Sequence, residues 1–217
     1  SSELPGVKIL DVLDLGIQAY LPVLRQQEEL VERRGKDAIP DTLLLVEHEP
    51  VYTLGRNAKE QNIVAAPEEL DRLKIQVVRT GRGGDVTFHG PGQLVGYPIL
   101  DLRRWGKGVV WYVDSLEEVL IRTLAEYGVT GTRDSKHRGV WVNDSKIAAI
   151  GVRITRHITM HGFSLNVRTD LSYYRGIIPC GIPDKGVTSL YLIVPEVDMN
   201  DVKRKLVAQF KAVFGYE

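Results

Sequence analysis

The sequence is poor in the features by which several function classes declare themselves. It has one cysteine in 217 residues, so no disulfide framework can form within the chain, and a reducing compartment fits. Neither charge sign is in excess: Lys plus Arg and Asp plus Glu number 28 each. No overall field therefore favours nucleic acid or a membrane surface. No run approaches the ~18 apolar residues of a membrane span, and the opening SSELPGVK does not read as a signal peptide. Repeats, low-complexity tracts and linkers are missing too. The chain reads as a cytoplasmic protein (in an organelle matrix if the source is eukaryotic) that binds neither nucleic acid nor membrane.

What is present is ordinary globular material, 43% apolar and 26% charged, long enough for one large domain or two small ones. VKILDVLDL (7–15) predicts a strand. Leu21, Leu24, Leu30 and Val31 predict a helix, with Pro22 in its first turn. TLLLVE (42–47) has the continuous apolar character of a buried strand, and PEELDRL (67–73) opens a short helix on proline and acids. IQVVR (75–79) and QLVGYPILDL (93–102) read as strands joined by GRGGDVTFHGPG. Val113, Leu116, Leu120, Leu124 and Tyr127 predict a helix stopped by Gly128. GVWV (139–142) and KIAAIGVRI (146–154) flank a turn at Asn143-Asp144-Ser145, with ITMHGFSLNV (158–167) as the next strand. Val202, Leu206, Phe210 and Val213 predict a final amphipathic helix. Strands linked by short turns, with helices between other pairs, give an α/β (α+β) protein with a mixed, largely antiparallel sheet flanked by helices.

Two local features suggest chemistry. GRGGDVTFHGPGQ (81–93) leads towards a strand rather than into a helix and lacks Gly-Lys-Ser/Thr. It is therefore neither a dinucleotide nor a Walker-type loop, though its glycines would let backbone N–H groups approach a ligand. The lone thiol, Cys180, lies between Pro179 and Gly181 in a bend rather than on an apolar face. The histidines are His48, His89, His137, His157 and His161. His157 and His161 have i, i+4 spacing, but on a strand they would lie ~13 Å apart, too far for one metal.

Three stretches taken together, RGGDVTFHGPGQLVGYPILDL (82–102), KIAAIGVRITRHITMHGFSLNV (146–167) and IIPCGI (177–182), resemble the signature blocks of the octanoyl-acyl-carrier-protein:protein N-octanoyltransferases, also called lipoate–protein ligase B. Ser164 departs from the alanine more often expected there. The resemblance implies a single catalytic domain over 1–217, similar to the catalytic domain of biotin and lipoate ligases. It implies Cys180 as the acyl-accepting nucleophile and Lys146 as its proton partner. It also implies substrate contacts from Arg82, Gly83, Gly84, Asp85, Val86, Thr87, Phe88 and His89, from Ala149, Ile150 and Gly151, and from Gly162, Phe163 and Ser164. His161 would be a supporting residue. The implied donor is an acyl carrier protein with its phosphopantetheine thioester. The implied acceptors are lipoyl domains of 2-oxoacid dehydrogenases and the glycine cleavage H protein. Neither ATP nor metal is expected.

The chemistry is self-consistent. A thiolate is the attacking species, and a nearby cation favours it. One lysine can then serve as acid and afterwards as base. Cys–His pairs are the commoner design, so His89 or His161 as base stays open at this point. The basic runs Arg103, Arg104 and Lys107, with Lys136 and Arg138, are candidates for docking an acidic carrier protein. An ATP-dependent ligase, a non-catalytic binding module and a thioester hydrolase are the rival readings.

Overall fold

The computed structural model describes residues 8–178 and 186–217. Its main sheet has six strands in the order β1-β2-β6-β9-β8-β7. These are β1 (Leu10–Gln18), β2 (Asp41–His48), β6 (Gln93–Ile99), β7 (Gly139–Val142), β8 (Ser145–Thr155) and β9 (Ile158–Asn166). Only the β1–β2 pair is parallel. A parallel pair needs a crossover, and α1 (Tyr20–Gly35) supplies it, with Pro22 in its first turn as expected. A second, smaller sheet was not anticipated. It has the order β4-β3-β5, from β3 (Val51–Leu54), β4 (Gln76–Arg79) and β5 (Val86–His89), with α2 (Pro67–Leu73) crossing between the parallel β3 and β4. The glycine-rich segment thus contains a strand of its own.

Side-chain alternation on β2 explains the layering. Leu43 and Leu45 join the core under α3 (Val109–Ala125) and α4 (Met199–Phe214), while Leu44 and Val46 face α1. Helices covering both faces require a strand that is apolar throughout, which is what TLLLVE shows. On α4 the buried positions are Val202, Leu206, Phe210 and Phe214; Phe214, rather than Val213, completes the stripe. The β7–β8 turn is tighter than expected, with Asn143 at positive φ (52°) and β8 already under way at Ser145. The β8–β9 hairpin turns on Arg156 and His157, both at positive φ (49° and 72°). That conformation usually takes Asn-Gly; here the His157 carbonyl accepts from Leu102 N–H at 2.9 Å, tying the turn to the body of the fold. Among the described residues no helix is long and apolar enough to cross a membrane.

One buried carboxylate ties four parts of the chain together. Asp41, wholly buried at the start of β2, accepts from Arg34 Nε at 2.8 Å and Arg104 Nη1 at 3.1 Å. It also accepts from Tyr216 OH at 2.9 Å and from Asp101 N–H at 3.0 Å. Removing one member of a buried ion pair leaves the other charge stranded. Asp41→Ala is therefore expected to lower the unfolding free energy by about 3–5 kcal/mol. Tyr216→Phe, which deletes a neutral donor, should cost about 1–2 kcal/mol. Chemical denaturation of both variants measures this, and equal losses would contradict the charge argument.

Candidate active site

The two sheets meet without merging, and the gap between them is a pocket of about 760 Å³, partly open to solvent. β7 pairs only with the first part of β8, Ser145 to Ala149. Beyond it, the glycine-rich loop takes the vacated edge, Gly83 N–H donating to Val152 O at 2.9 Å. The approach is close because residue 151 is glycine: a Cβ there would stand 2.8 Å from Gly83 O and 3.2 Å from Arg82 Cδ. Arg82 is buried beneath the loop. Its guanidinium donates to Thr53 O at 2.7 Å, Gly83 O at 2.8 Å and Asp85 O at 2.8 Å, and to Thr53 Oγ1. Asp85 in turn accepts from Val86 N–H, Lys59 N–H and the Asn62 amide.

Lys146 and Gly151, five residues apart on β8, both line this pocket. A β-bulge sets the lysine's direction. Val140 pairs with Ala148, but Trp141 pairs with Lys146, so Ile147 is the extra residue. Ile147 and Ala148 consequently both enter the core under α3, where a regular strand would send neighbours to opposite faces. Lys146 is half-buried, its Nζ 5.3 Å from the Trp141 ring centroid. The segment 186–188 runs alongside: Lys146 N–H donates to Gly186 O at 2.9 Å, and Thr188 N–H to Lys146 O at 2.9 Å.

Most of the predicted contact residues line this one pocket. Arg82, Gly84, Asp85, Val86, Thr87 and His89 do so from the loop and β5. Ala149, Ile150 and Gly151 from β8 face His161, Gly162, Phe163 and Ser164 from β9, in the register Ala149–Ser164, Ile150–Phe163 and Gly151–Gly162. Gly83 and Phe88 lie outside the lining. Phe88 is wholly buried in the small sheet's core, stacked on Tyr173 with ring centroids 4.8 Å apart. Cys180 lies outside the described residues. The sequence reading missed Tyr20, Val95, Tyr97, Ile147, Ala148, Asn166, Tyr174 and Val187, which complete the lining. Tyr20 and Tyr97 carried no signal, since one opens a helix and the other sits in an apolar strand.

Three buried imidazoles cluster around the pocket's inner end, and all are neutral. His89 Nδ1–H donates to Gln93 Oε1 at 2.7 Å; the orientation is set by Gln93 Nε2, which donates to Phe88 O and Asn166 Oδ1. His48 bonds the Gln18 carbonyl through Nδ1 and Tyr97 OH through Nε2. His161 bonds the Thr80 hydroxyl at 3.4 Å. Burial is the main cause that lowers His48 to about 4. Burial, then the repulsion a protonated His48 would exert and the Arg82 charge, lower His89 to about 3, and burial followed by Arg82 lowers His161 to about 3. Among the described residues no group of three or more His, Cys, Asp or Glu could hold a metal ion.

The three arginines of the basic runs are engaged within the fold. Arg103 pairs with Asp101 at 2.7 Å, Arg104 with Asp41, and Arg138 with Asp114 and Glu117. Arg103 shares a surface hollow with Thr155, the far end of β8 from Lys146. At ~3.3 Å per residue the two ends of that strand lie about 30 Å apart. Arg103 and Arg104 are thus remote from the pocket end where Lys146 sits.

The histidines set a pH dependence with a definite sign. A histidine whose folded pKa lies below its unfolded value, ~6.5, binds fewer protons when folded. Its stabilisation is complete above ~6.5 and is lost as pH falls towards the folded value. Stability is expected to be level above pH ~7 and to fall below pH ~6.5, by up to about 1.4 kcal/mol per pH unit for each histidine. Urea unfolding at pH ~7.5, ~6 and ~5 reads the slope, and His89→Gln should flatten it. An unchanged slope in that variant would contradict the assignment.

Comparison with known proteins agrees with this architecture. Residues 19–211 match the family model described as the lipoyl protein ligase A/B catalytic domain. The octanoyltransferase of Alkaliphilus metalliredigens is 49% identical over 210 residues, covering 96% of each chain. Lipoate-protein ligase A bound with ATP superposes at a TM-score of 0.75, with 14% identity over 95% of this chain and 86% of that one. The biotin protein ligase of Aquifex aeolicus, in complex with biotin and ATP, superposes at 0.56, with 16% identity over 96% and 71% of the two chains. The expected fold is therefore present, a mixed, mainly antiparallel sheet with flanking helices. On sequence and architecture alike, the chain belongs to the lipoyl protein ligase A/B catalytic-domain family, among the octanoyltransferases.

Proposed function

We propose that this chain, as a single catalytic unit, moves an octanoyl group from the phosphopantetheine thioester of an acyl carrier protein to a lysine of a lipoyl domain. The acceptors would be lipoyl domains of 2-oxoacid dehydrogenases and the glycine cleavage H protein. Cys180 is the nucleophile and Lys146 its proton partner. The observation that carries this reading is the placement of Lys146 in the pocket, against the chain that leaves the cysteine segment. Cys180 follows Ile178 by two residues and precedes Gly186 by six. Ile178 N–H is bonded to Asn62 O at 2.8 Å, and Gly186 O to Lys146 N–H. Asn62 is itself bonded to Asp85 of the glycine-rich loop. The two ends of the nucleophile's segment are thus anchored to the pocket's own walls.

The steps balance. The Cys180 thiolate attacks the thioester carbonyl, the bond to pantetheine sulfur breaks, and the departing thiolate takes a proton from the Lys146 ammonium. The neutral Lys146 amine then accepts a proton from the incoming lysine ammonium. The freed amine attacks the acyl-cysteine, the amide C–N bond forms and the C–S bond breaks. A second proton leaves the nitrogen for solvent, and Cys180 returns as thiolate beside the Lys146 ammonium. One proton is released per turnover, and neither ATP nor metal is required. The acyl chain lies along the pocket wall that Ala149 to Gly151 of β8 and Gly162 to Ser164 of β9 form. His161 supports the chain's inner end.

Intact mass after mixing the protein with octanoyl-acyl carrier protein tests this directly. A single octanoyl adduct is expected without ATP, discharged by a lipoyl domain and missing from Cys180→Ser. Turnover only with free octanoate and ATP would make the chain a ligase. Release of free octanoate while acceptor is plentiful would make it a hydrolase.

A further inference from the structure

Three observations converge on the Lys146 side chain from a direction the proposed chemistry does not use. Gly139 opens β7 with a positive φ of 140°. A Cβ there would stand 2.6 Å from Lys146 Cε and 2.6 Å from Ala148 O. The lysine stem therefore lies across the bare Cα of Gly139, and any side chain would push it aside. Next along β7, the Trp141 ring sits 5.3 Å from Lys146 Nζ, within range of a cation–π contact. The start of β7 is in turn fixed from the helical layer. Glu117 of α3, 1% exposed, accepts from Gly139 N–H at 3.1 Å and from Arg138 Nη1 at 3.0 Å. Its Oε1 also pairs with Arg133 Nε at 3.3 Å.

A carboxylate buried on the core side of a helix is expensive unless it is well bonded. Here its bonds converge on the residue whose bare Cα accepts the lysine. We propose that Glu117 is a positioning residue for the transfer reaction: by clamping Gly139 N–H and Arg138 it fixes the start of β7, and through Gly139 it fixes the Lys146 ammonium. The proposal rests on the reading of Cys180 and Lys146 given above. Glu117 touches neither substrate nor reacting atoms. It acts through the backbone of Gly139, with the bulge at Ile147 keeping Lys146 opposite Trp141.

The experiment compares kcat and KM for octanoyl-acyl carrier protein in Glu117→Ala, Glu117→Gln, Gly139→Ala, Asp114→Asn and Lys146→Ala, each corrected for its folded fraction by circular dichroism. Misplacing a catalytic group by about 1 Å costs on the order of 100-fold. Glu117→Ala and Gly139→Ala are expected to lose about 10- to 100-fold in kcat, with KM within about twofold because the pocket walls are untouched. Glu117→Gln, whose amide oxygen can still accept from Gly139, should recover part of the loss. Asp114→Asn removes the other acidic partner of Arg138, on the surface, and should leave kcat unchanged. Wild-type kcat in both Glu117→Ala and Gly139→Ala, with Lys146→Ala inactive, overturns the positioning role alone. Full activity in Lys146→Ala overturns the reading of the site beneath it. An equal loss in Asp114→Asn would place the effect in surface charge and also overturn the proposal.

Discussion

Arg82 holds a positive charge where water has little access, and the neighbouring backbone is arranged around that charge. A buried guanidinium needs acceptors for its donors. The chain provides carbonyls from β3 and from two turns of the glycine-rich loop, all within 2.8 Å. Those bonds shape the loop into a rigid shelf whose Gly83 can reach the open edge of β8. The small sheet is thereby held against the large one at one side while the other side stays apart. The pocket is that separation. The same charge helps keep His89 and His161 neutral, so their stretch of the pocket lining carries polar groups without mobile charge.

β8 divides its length between two duties. Its first half pairs with β7 and supplies the lysine and most of the pocket wall; its second half receives the loop at Val152. A regular strand could not serve both, because period-two alternation would turn either Ile147 or Ala148 away from the helical layer. The inserted Ile147 resolves the conflict at the cost of one ladder position, and the cost falls next to Lys146 in the pocket lining; bulges are commonly found beside such sites. Asn166 connects the two halves, accepting from Gln93 Nε2 and donating from Nδ2 to Thr188 O. Thr188 is bonded to Lys146 in turn, so one bonded path joins the neutral His89 to the lysine's backbone.

How legible this was in the sequence depended on whether a feature is local. The helices at 20–35, 67–73 and 199–214 follow from periodicity and end signals that lie within each segment. Pro67 with Glu68 and Glu69 is read correctly for that reason. β3 and β5 were not legible. VYTL and VTFH are four residues each, too short to show alternation, and glycines surround the second. The pocket residues with a motif, from Arg82 to His89 and on β8 and β9, were found by resemblance. Tyr20, Tyr97 and Asn166 became site residues only because α1, β6 and β9 converge there, which no local pattern encodes. The Glu117 clamp is of the same kind, being 22 positions from Gly139.

The geometry also bears on the choice of base, which spacing alone left between lysine and histidine. A general base works best with a pKa near the operating pH. His89 and His161, at about 3, would bind a proton so weakly that each abstraction would be strongly uphill. His89 Nδ1 is further committed to Gln93 at 2.7 Å. A cationic imidazole in that cavity would also repel Arg82, which already contributes to the depression of both histidines. The imidazoles are suited to line a pocket as neutral dipoles, and not to carry protons between thiol and amine. Lys146 is placed differently. It is five residues along β8 from Gly151, against which Arg82 packs, and is half-buried beside an aromatic face. On the proposed reading its charge would stabilise a thiolate there rather than compete with a buried cation. On the proposed reading, the fixed charge of Arg82 and the proton-carrying Lys146 occupy different stretches of one pocket lining, which would suit a single lysine to both half-reactions.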